Sequence, residues 1–268
     1  MLTLIKGPRI YTPQDEGYGD ILIAGGKILA INKQIDPPAG IKTVQVDGQN
    51  LIATPGFIDL HMHLIGGGGE GGPATRMPEI PFNDIVGSGV TTAVGLLGTD
   101  NISKTPDSLL HRVLGLRQKG ISAYMFSGAY DIDPLVTVTG SLKKDIALIE
   151  PVIGVGEVAI SDHRSCHPTF EELARAAAHA RVGGMLGKKP GLVHLHPGSG
   201  ERGLDLLFRL VNETDIPISQ FLPTHVTRTK VLFAQALELA RLGGNIDITL
   251  GVENHQVSTA DALRQLEK

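Results

Sequence analysis

The stretch Gly56-Phe57-Ile58-Asp59-Leu60-His61-Met62-His63, followed by Leu64-Ile65 and the four glycines Gly66 to Gly69, decides how the rest of the chain is read. Its apolar character marks a strand, and side chains alternate along a strand. His61 and His63 therefore point to the same side and can grip one metal ion together. Two hydrogen-bonded histidines on a buried strand satisfy the same pattern, so the meaning of the pair depends on partners further along.

Upstream, from Met1 to Ala53, short β-type runs such as Asp20 to Ala24 and Lys27 to Ile31 flank the Gly25-Gly26 turn and predict a small β subdomain over residues 1–53. Downstream, over 54–268, apolar β-branched runs alternate with stretches of helical period. Strands are expected at 57–63, 91–97, 121–127, 152–160, 191–196, 221–226 and 245–250. Between them, the run opened by Pro168-Thr169-Phe170-Glu171-Glu172 and the run from Thr229 to Leu242 place apolar residues at helical spacing behind good caps. Alternating units of this kind belong to an α/β fold with a parallel sheet. No Gly-x-Gly-x-x-Gly fingerprint follows the first strand, which favours a (β/α)8-type TIM barrel over an open doubly wound sheet. Seven β/α units are counted, and after a capped helix start at Ser258 the sequence ends at Lys268. The expected barrel is thus incomplete at strand eight, and its open sheet edges favour a homo-oligomer.

Composition narrows the function. The 268 residues are 41% hydrophobic, enough for a large core, and the formal charge of -4 arises from dispersed acids and bases. No basic block points to nucleic acid or to a membrane surface, so a small-molecule partner is expected. The apolar run at Met1 to Gly7 is short for a signal peptide and charges interrupt every longer apolar stretch, which predicts a cytoplasmic protein. Cys166 is the only cysteine, which excludes an internal disulfide and a thiolate cluster. Any metal must use His, Asp, Glu or a modified lysine.

In a barrel, the C-terminal ends of the strands converge on the site. The fourth strand carries Glu157 amid apolar neighbours, where an unpaired carboxylate is costly and calls for a metal or an internal ion pair. The fifth ends in His194-Leu195-His196-Pro197-Gly198; His196, nearer the mouth, is the better ligand, and His194 reads as a hydrogen-bonded core histidine. The sixth leads into Pro223-Thr224-His225. His111, His179 and His255 read as ordinary packing or solvent-facing residues. Two sites can be assembled, one from His61 and His63 and one from His196 and His225, with Glu157 between them. Backbone carbonyls are expected to hold the ring nitrogens turned away from the metals. Nitrogen and oxygen donors without sulfur suit zinc, with manganese, iron, cobalt or nickel as alternatives.

The string from Thr54 to His63, with His196 and His225, resembles the amidohydrolase superfamily. Four further strings resemble its isoaspartyl dipeptidases, or β-aspartyl peptidases: LIGGGGEGGP (64–73), VGLLGTD (94–100), SDHRS (161–165) and PTHVTR (223–228). The resemblance implies two divalent ions, zinc foremost, with His61 and His63 on one, His196 and His225 on the other, and Glu157 as the bridge. Members of the family commonly carry a carboxylated lysine at that bridge; glutamate supplies two oxygens without carbon dioxide. The resemblance further implies that Glu70 binds the substrate α-ammonium, Thr99 the aspartyl part, Arg164 and Arg228 carboxylates, and Tyr130 the scissile carbonyl. The implied reaction is hydrolysis of β-aspartyl dipeptides by a metal-bridging hydroxide. The aspartate that the family places at the end of strand eight, as ligand and proton shuttle, lies beyond the sequence read here, and Asp247 on strand seven is a poor substitute. Two other readings follow: a shortened, non-catalytic homologue that binds metal or ligand, or a related amidohydrolase acting on another amide.

Overall fold

The computed structural model describes residues 1–250 and 255–266, in two compact units, Met1–Phe57 and Ile58–Lys268. The first holds seven strands: β1 (Leu2–Lys6), β2 (Arg9–Tyr11), β3 (Asp15–Tyr18), β4 (Asp20–Ala24), β5 (Lys27–Asn32), β6 (Thr43–Asp47) and β7 (Ile52–Ala53). They form a four-stranded sheet, β5-β4-β1-β6, and a three-stranded one, β3-β2-β7. The β4–β5 hairpin turns on Gly25 and Gly26, whose φ values of 56° and 73° are what a two-residue hairpin turn with both central residues left-handed requires.

Asp20 ties this unit together. Its carboxylate accepts hydrogen bonds from Lys6 Nζ (2.5 Å), Gly7 N (3.0 Å) and Ile35 N (2.8 Å). Burial pulls its carboxyl up, but the Lys6 ammonium and the two amides outweigh burial and hold it below the usual range.

The second unit alternates strand and helix: β8 (Phe57–Met62), α1 (Phe82–Gly87), β9 (Val90–Gly95), α2 (Pro106–Gln118), β10 (Ser122–Ser127), α3 (Leu142–Leu148), β11 (Val152–Ala159), α4 (Phe170–Gly187), β12 (Leu192–His196), α5 (Asp205–Glu213), β13 (Phe221–Pro223), α6 (Lys230–Arg241) and α7 (Thr259–Leu266). The sheet order is β13-β12-β11-β10-β9-β8, with β9 to β13 paired in parallel. Spatial order follows chain order without the reversal that a doubly wound sheet makes at its switch point, so this is the wall of a (β/α)8-type TIM barrel. Among the described residues that wall has six strands.

The expected seventh strand, 245–250, is not formed. Its segment makes two backbone hydrogen bonds beside β13, Asp247 N to Pro223 O (2.9 Å) and Val226 N to Asp247 O (3.4 Å), and no strand among the described residues pairs with its other edge. The β-branched pattern there is strand-like, but a strand is defined by its ladder, and two hydrogen bonds, both at Asp247, do not make one. The predicted helices do form. At α4, Thr169 Oγ1 accepts from Glu172 N (3.3 Å) while Thr169 N donates to Glu172 Oε2 (2.8 Å), a reciprocal cap. Among the described residues no helix is long and apolar enough to cross a membrane.

Period-two alternation assigns the two faces of the sheet. Ala93 and Leu97 on the β9 side, Ala123 and Met125 on β10, and Val193 and Leu195 on β12 join the large cluster beneath the helices. Val94, Leu96 and Phe126 form a smaller cluster on the opposite face, with Leu192 packed against it. His194 and His196 share the parity of Leu192 and so belong to that inner face.

Because Asp20 binds fewer protons folded than unfolded, its stabilising contribution is present above about pH 4 and is lost as pH falls through its lowered value. Asp20→Asn is expected to lower the denaturation midpoint at pH 7 and to flatten its decline between about pH 5 and 2, as read by circular dichroism. A mutant that keeps the wild-type acid slope would remove Asp20 as its origin.

Candidate metal centre and substrate pocket

The donors come from four strands. His61 lies near the end of β8 and His63 just beyond it, Glu157 lies in β11, His196 ends β12, and His225 follows β13. His225 has φ 55°, a left-handed backbone uncommon for a side chain of this size. The Glu157 carboxylate, 1% exposed, stands at the centre. Its Oε2 lies 3.2 Å from His61 Nε2 and 4.0 Å from His63 Nε2. Its Oε1 accepts a hydrogen bond from His196 Nδ1 and lies 3.7 Å from His225 Nε2. Each oxygen thus faces one histidine pair. Donor atoms of His61, Glu157 and His225 lie within 4.8 Å of one another.

The electrostatics favour a cation here. Burial pushes the His61 imidazole down to about 2 and lowers that of His63, so both rings are neutral and offer lone pairs. Burial raises Glu157, but His61 and the bonds from His196 and His225 outweigh it and hold the carboxyl well below its usual range. Burial lowers His196, and its bonds to Asp162 and Glu157 more than reverse that. A buried anion beside the neutral rings of His61 and His63 draws positive charge to this point.

The outward ring nitrogens of His61, His225 and His196 are held by side chains rather than by the expected backbone carbonyls. His61 Nδ1 shares a hydrogen bond with His194 Nε2 (2.9 Å), His225 Nδ1 contacts Thr249 Oγ1, and His196 Nε2 faces Asp162 Oδ2 (3.0 Å). The reason is depth: these rings sit where neighbouring strands supply inward side chains, while the strand carbonyls are spent on the sheet ladder. His194, fully buried, stacks on Phe126 with ring centroids 4.9 Å apart, and burial pushes it down to about 4. His111 and His179 are exposed on α2 and α4, and His255 contacts Thr227 Oγ1 through Nδ1 at 2.7 Å.

These residues fit divalent metal. Among the described residues, Glu157 Oε2 and His63 Nδ1 are buried without a hydrogen-bond partner, the first of them pointing at the histidine pair that a metal would join it to. The nitrogen and oxygen donor set, without sulfur, suits zinc.

A cavity of about 190 Å³ opens above this cluster, lined by His63, Glu70, Thr99, Tyr130, Arg164 and Arg228 among others. The structure therefore brings all the sequence-predicted polar groups to one place. Thr99 Oγ1 donates to Glu70 Oε1 (2.7 Å), and Arg164 Nη1 donates to the same oxygen (2.9 Å). Those two bonds, Thr99's the stronger, hold the Glu70 carboxyl below its usual value. The Tyr130 hydroxyl is 3.0 Å from His196 Nδ1, and burial, followed by the Glu157 charge, pushes its phenol far up. Arg228 Nε is buried without a partner among the described residues. A larger cavity of about 710 Å³ lies at the other ends of the strands, around Ile58, Thr92, Tyr124 and Ile153. Its apolar lining carries none of the metal-ligand cluster.

Asp162, Thr249 and the orienting role of His194 escape the sequence reading. Asp162 Oδ1 and Oδ2 accept from Arg164 Nε (2.9 Å) and Nη2 (2.8 Å) in a fork, which holds the Asp162 carboxyl far below its usual range. Its signal in the sequence is an acid two residues from an arginine just past a strand end. Nothing comparable marks Thr249.

Strand-end imidazoles around a buried carboxylate on a parallel barrel wall define the amidohydrolase class. No family model matches the chain. It superposes on the crystal structure of a β-aspartyl dipeptidase from the thermophilic, keratin-degrading Fervidobacterium islandicum AW-1 with a TM-score of 0.95 and 41% identity, over 100% of this chain and 72% of that one. The same enzyme in complex with β-Asp-Leu gives 0.92 and 41%, over 100% and 70%. A dihydroorotase from Geobacter sulfurreducens is 27% identical over 194 residues, 69% of this chain and 41% of the relative. The chain thus spans about two fifths of the curated relative it matches. It belongs to the β-aspartyl dipeptidase family of the amidohydrolase superfamily.

His194→Leu, which keeps an apolar body against Phe126 but removes the partner of His61 Nδ1, is expected to weaken divalent-metal binding about 10- to 100-fold. Chelator competition reads this directly; unchanged affinity would show that His194 does not orient the ligand.

Proposed function

We propose that this chain hydrolyses β-aspartyl dipeptides with two divalent ions, zinc foremost, held by His61 and His63 on one side and His196 and His225 on the other, with Glu157 between them. The observation that carries the proposal is the division of the Glu157 carboxylate, one oxygen toward each histidine pair. Divalent ions bound there supply a nucleophile drawn from water near neutral pH and polarise the scissile amide.

The protein's own groups do the rest. Tyr130 stays protonated at every working pH, because burial and the neighbouring Glu157 charge oppose the phenolate, and so donates to the oxygen that gains charge in the transition state. Asp162 fixes the plane of Arg164, and with Arg228 that guanidinium takes the carboxylate of the leaving amino acid. Glu70 receives the substrate ammonium, and the Thr99 hydroxyl orients Glu70. The β-Asp-Leu complex of the 41% identical relative supports this substrate class. A cytoplasmic homo-oligomer acting on small dipeptides is part of the same proposal.

A second reading, metal and ligand binding without turnover, is favoured by Asp247. Its carboxylate accepts a bond from Thr224 Oγ1, and among the described residues it joins no metal-ligand cluster, which leaves the proton shuttle to the leaving amine unassigned.

Purified protein loaded with zinc is expected to release leucine from β-Asp-Leu, with two metals per chain by elemental analysis. Metal without turnover would favour the second reading, and absence of both would sink the site. Glu157→Gln is expected to cut metal occupancy, since it replaces an anionic oxygen by an amide; full occupancy would show that Glu157 is no bridge. Tyr130→Phe is expected to lower kcat about 100-fold with KM little changed, and an unaltered kcat would exclude it as the oxyanion donor.

A further inference from the structure

Lys104 is a buried cation that the reading above leaves unused. It closes the loop after β9, just before Thr105 caps α2, is 5% exposed, and lines the same cavity as Glu70, Thr99 and Tyr130. Lysine is seldom buried so fully without a partner for its charge. An ammonium has three donors, and among the described residues Lys104 uses one, to Asp100 Oδ2 at 3.2 Å. Asp100 is the partner of its charge but is not held by it alone. Its carboxylate also accepts from Ser103 N (2.9 Å), Ile102 N (3.3 Å) and Ser103 Oγ, with Arg76 Nε at 3.7 Å.

On the β-aspartyl dipeptide reading, on which this inference rests, the substrate brings one ammonium and two carboxylates. The α-ammonium and the α-carboxylate of the isoaspartyl residue share one carbon, so the countercharges for both must lie together. Glu70 answers the ammonium. Arg164, engaged by Asp162 and Glu70, serves the far carboxylate with Arg228. Thr99 touches Glu70 but is neutral. The cation on Thr99's own loop is Lys104.

We propose that Lys104 binds the α-carboxylate of the isoaspartyl residue and so selects β-aspartyl over β-alanyl peptides, which carry the same ammonium and amide but lack that carboxylate. A charge-assisted bond in a desolvated pocket discriminates strongly, since the analogue without the carboxylate leaves the ammonium with Asp100 as its one partner among the described residues.

The test compares zinc-loaded wild type, Lys104→Met and Lys104→Arg on β-Asp-Leu and β-Ala-Leu. Where turnover is seen the readout is kcat/KM; where it is absent, Kd by calorimetry gives the same ratio. Lys104→Met is expected to weaken β-Asp-Leu about thirtyfold and β-Ala-Leu less than about threefold, and Lys104→Arg to restore most of the preference. Equal losses on both peptides would reduce Lys104 to a structural prop of its loop, and no loss would overturn the proposal outright. A wild type that prefers β-Asp-Leu, with the preference intact in Lys104→Met, overturns only the role of Lys104. A wild type that takes up neither dipeptide overturns the dipeptidase reading and this inference together.

Discussion

The interior of this barrel wall is organised around one costly group, the Glu157 carboxylate. A buried anion is tolerable only where charge and hydrogen bonds replace the water it has lost. Four imidazoles surround it, and two of its neighbours, His61 and His63, are themselves kept neutral by burial. One of its oxygens, Oε2, lacks a hydrogen-bond partner among the described residues. What would be a defect in a structural core is the condition for a cation site here, and the same burial that makes Glu157 expensive keeps the imidazole lone pairs free.

The remaining architecture serves that condition at successive depths. Parallel strands deliver the donors to one end of the sheet because side-chain parity and strand direction are shared along the wall. One layer below, His194 and Phe126 fix the ring plane of His61. One layer above, loops carry alternating charges, Glu70 and Asp162 against Arg164, so that the Arg164 guanidinium arrives already oriented.

The sequence revealed the parts whose logic is local. The β/α alternation, the capping box at Thr169 and the glycine hairpin at Gly25-Gly26 are decided by residues within one turn of each other, and each forms as read. The five ligand candidates were legible because strand-end position and parity can be counted. Residues 245–250 look like a strand, yet the outcome there depends on what lies along both edges. His194 as the partner of His61, Asp162 against His196, and Thr249 against His225 are separated by 133, 34 and 24 residues, and nothing in the local pattern of either partner announces the other. Lys104 reads as an ordinary lysine before a helix until its burial is known.

The bond between Arg164 and Glu70, 2.9 Å across the mouth of the cavity, makes the pocket its own competitor. Each of these side chains already holds an opposite charge, so a ligand bearing only an amine would leave Arg164 to Asp162 alone, and one bearing only a carboxylate would leave Glu70 to Thr99 alone. A zwitterion of the right span re-pairs both at once. If Glu70 and Arg164 take the two charges of a substrate as proposed, the latch would act as a two-key lock that favours zwitterions over singly charged metabolites, and its threshold would soften as ionic strength rises and the latch itself is screened.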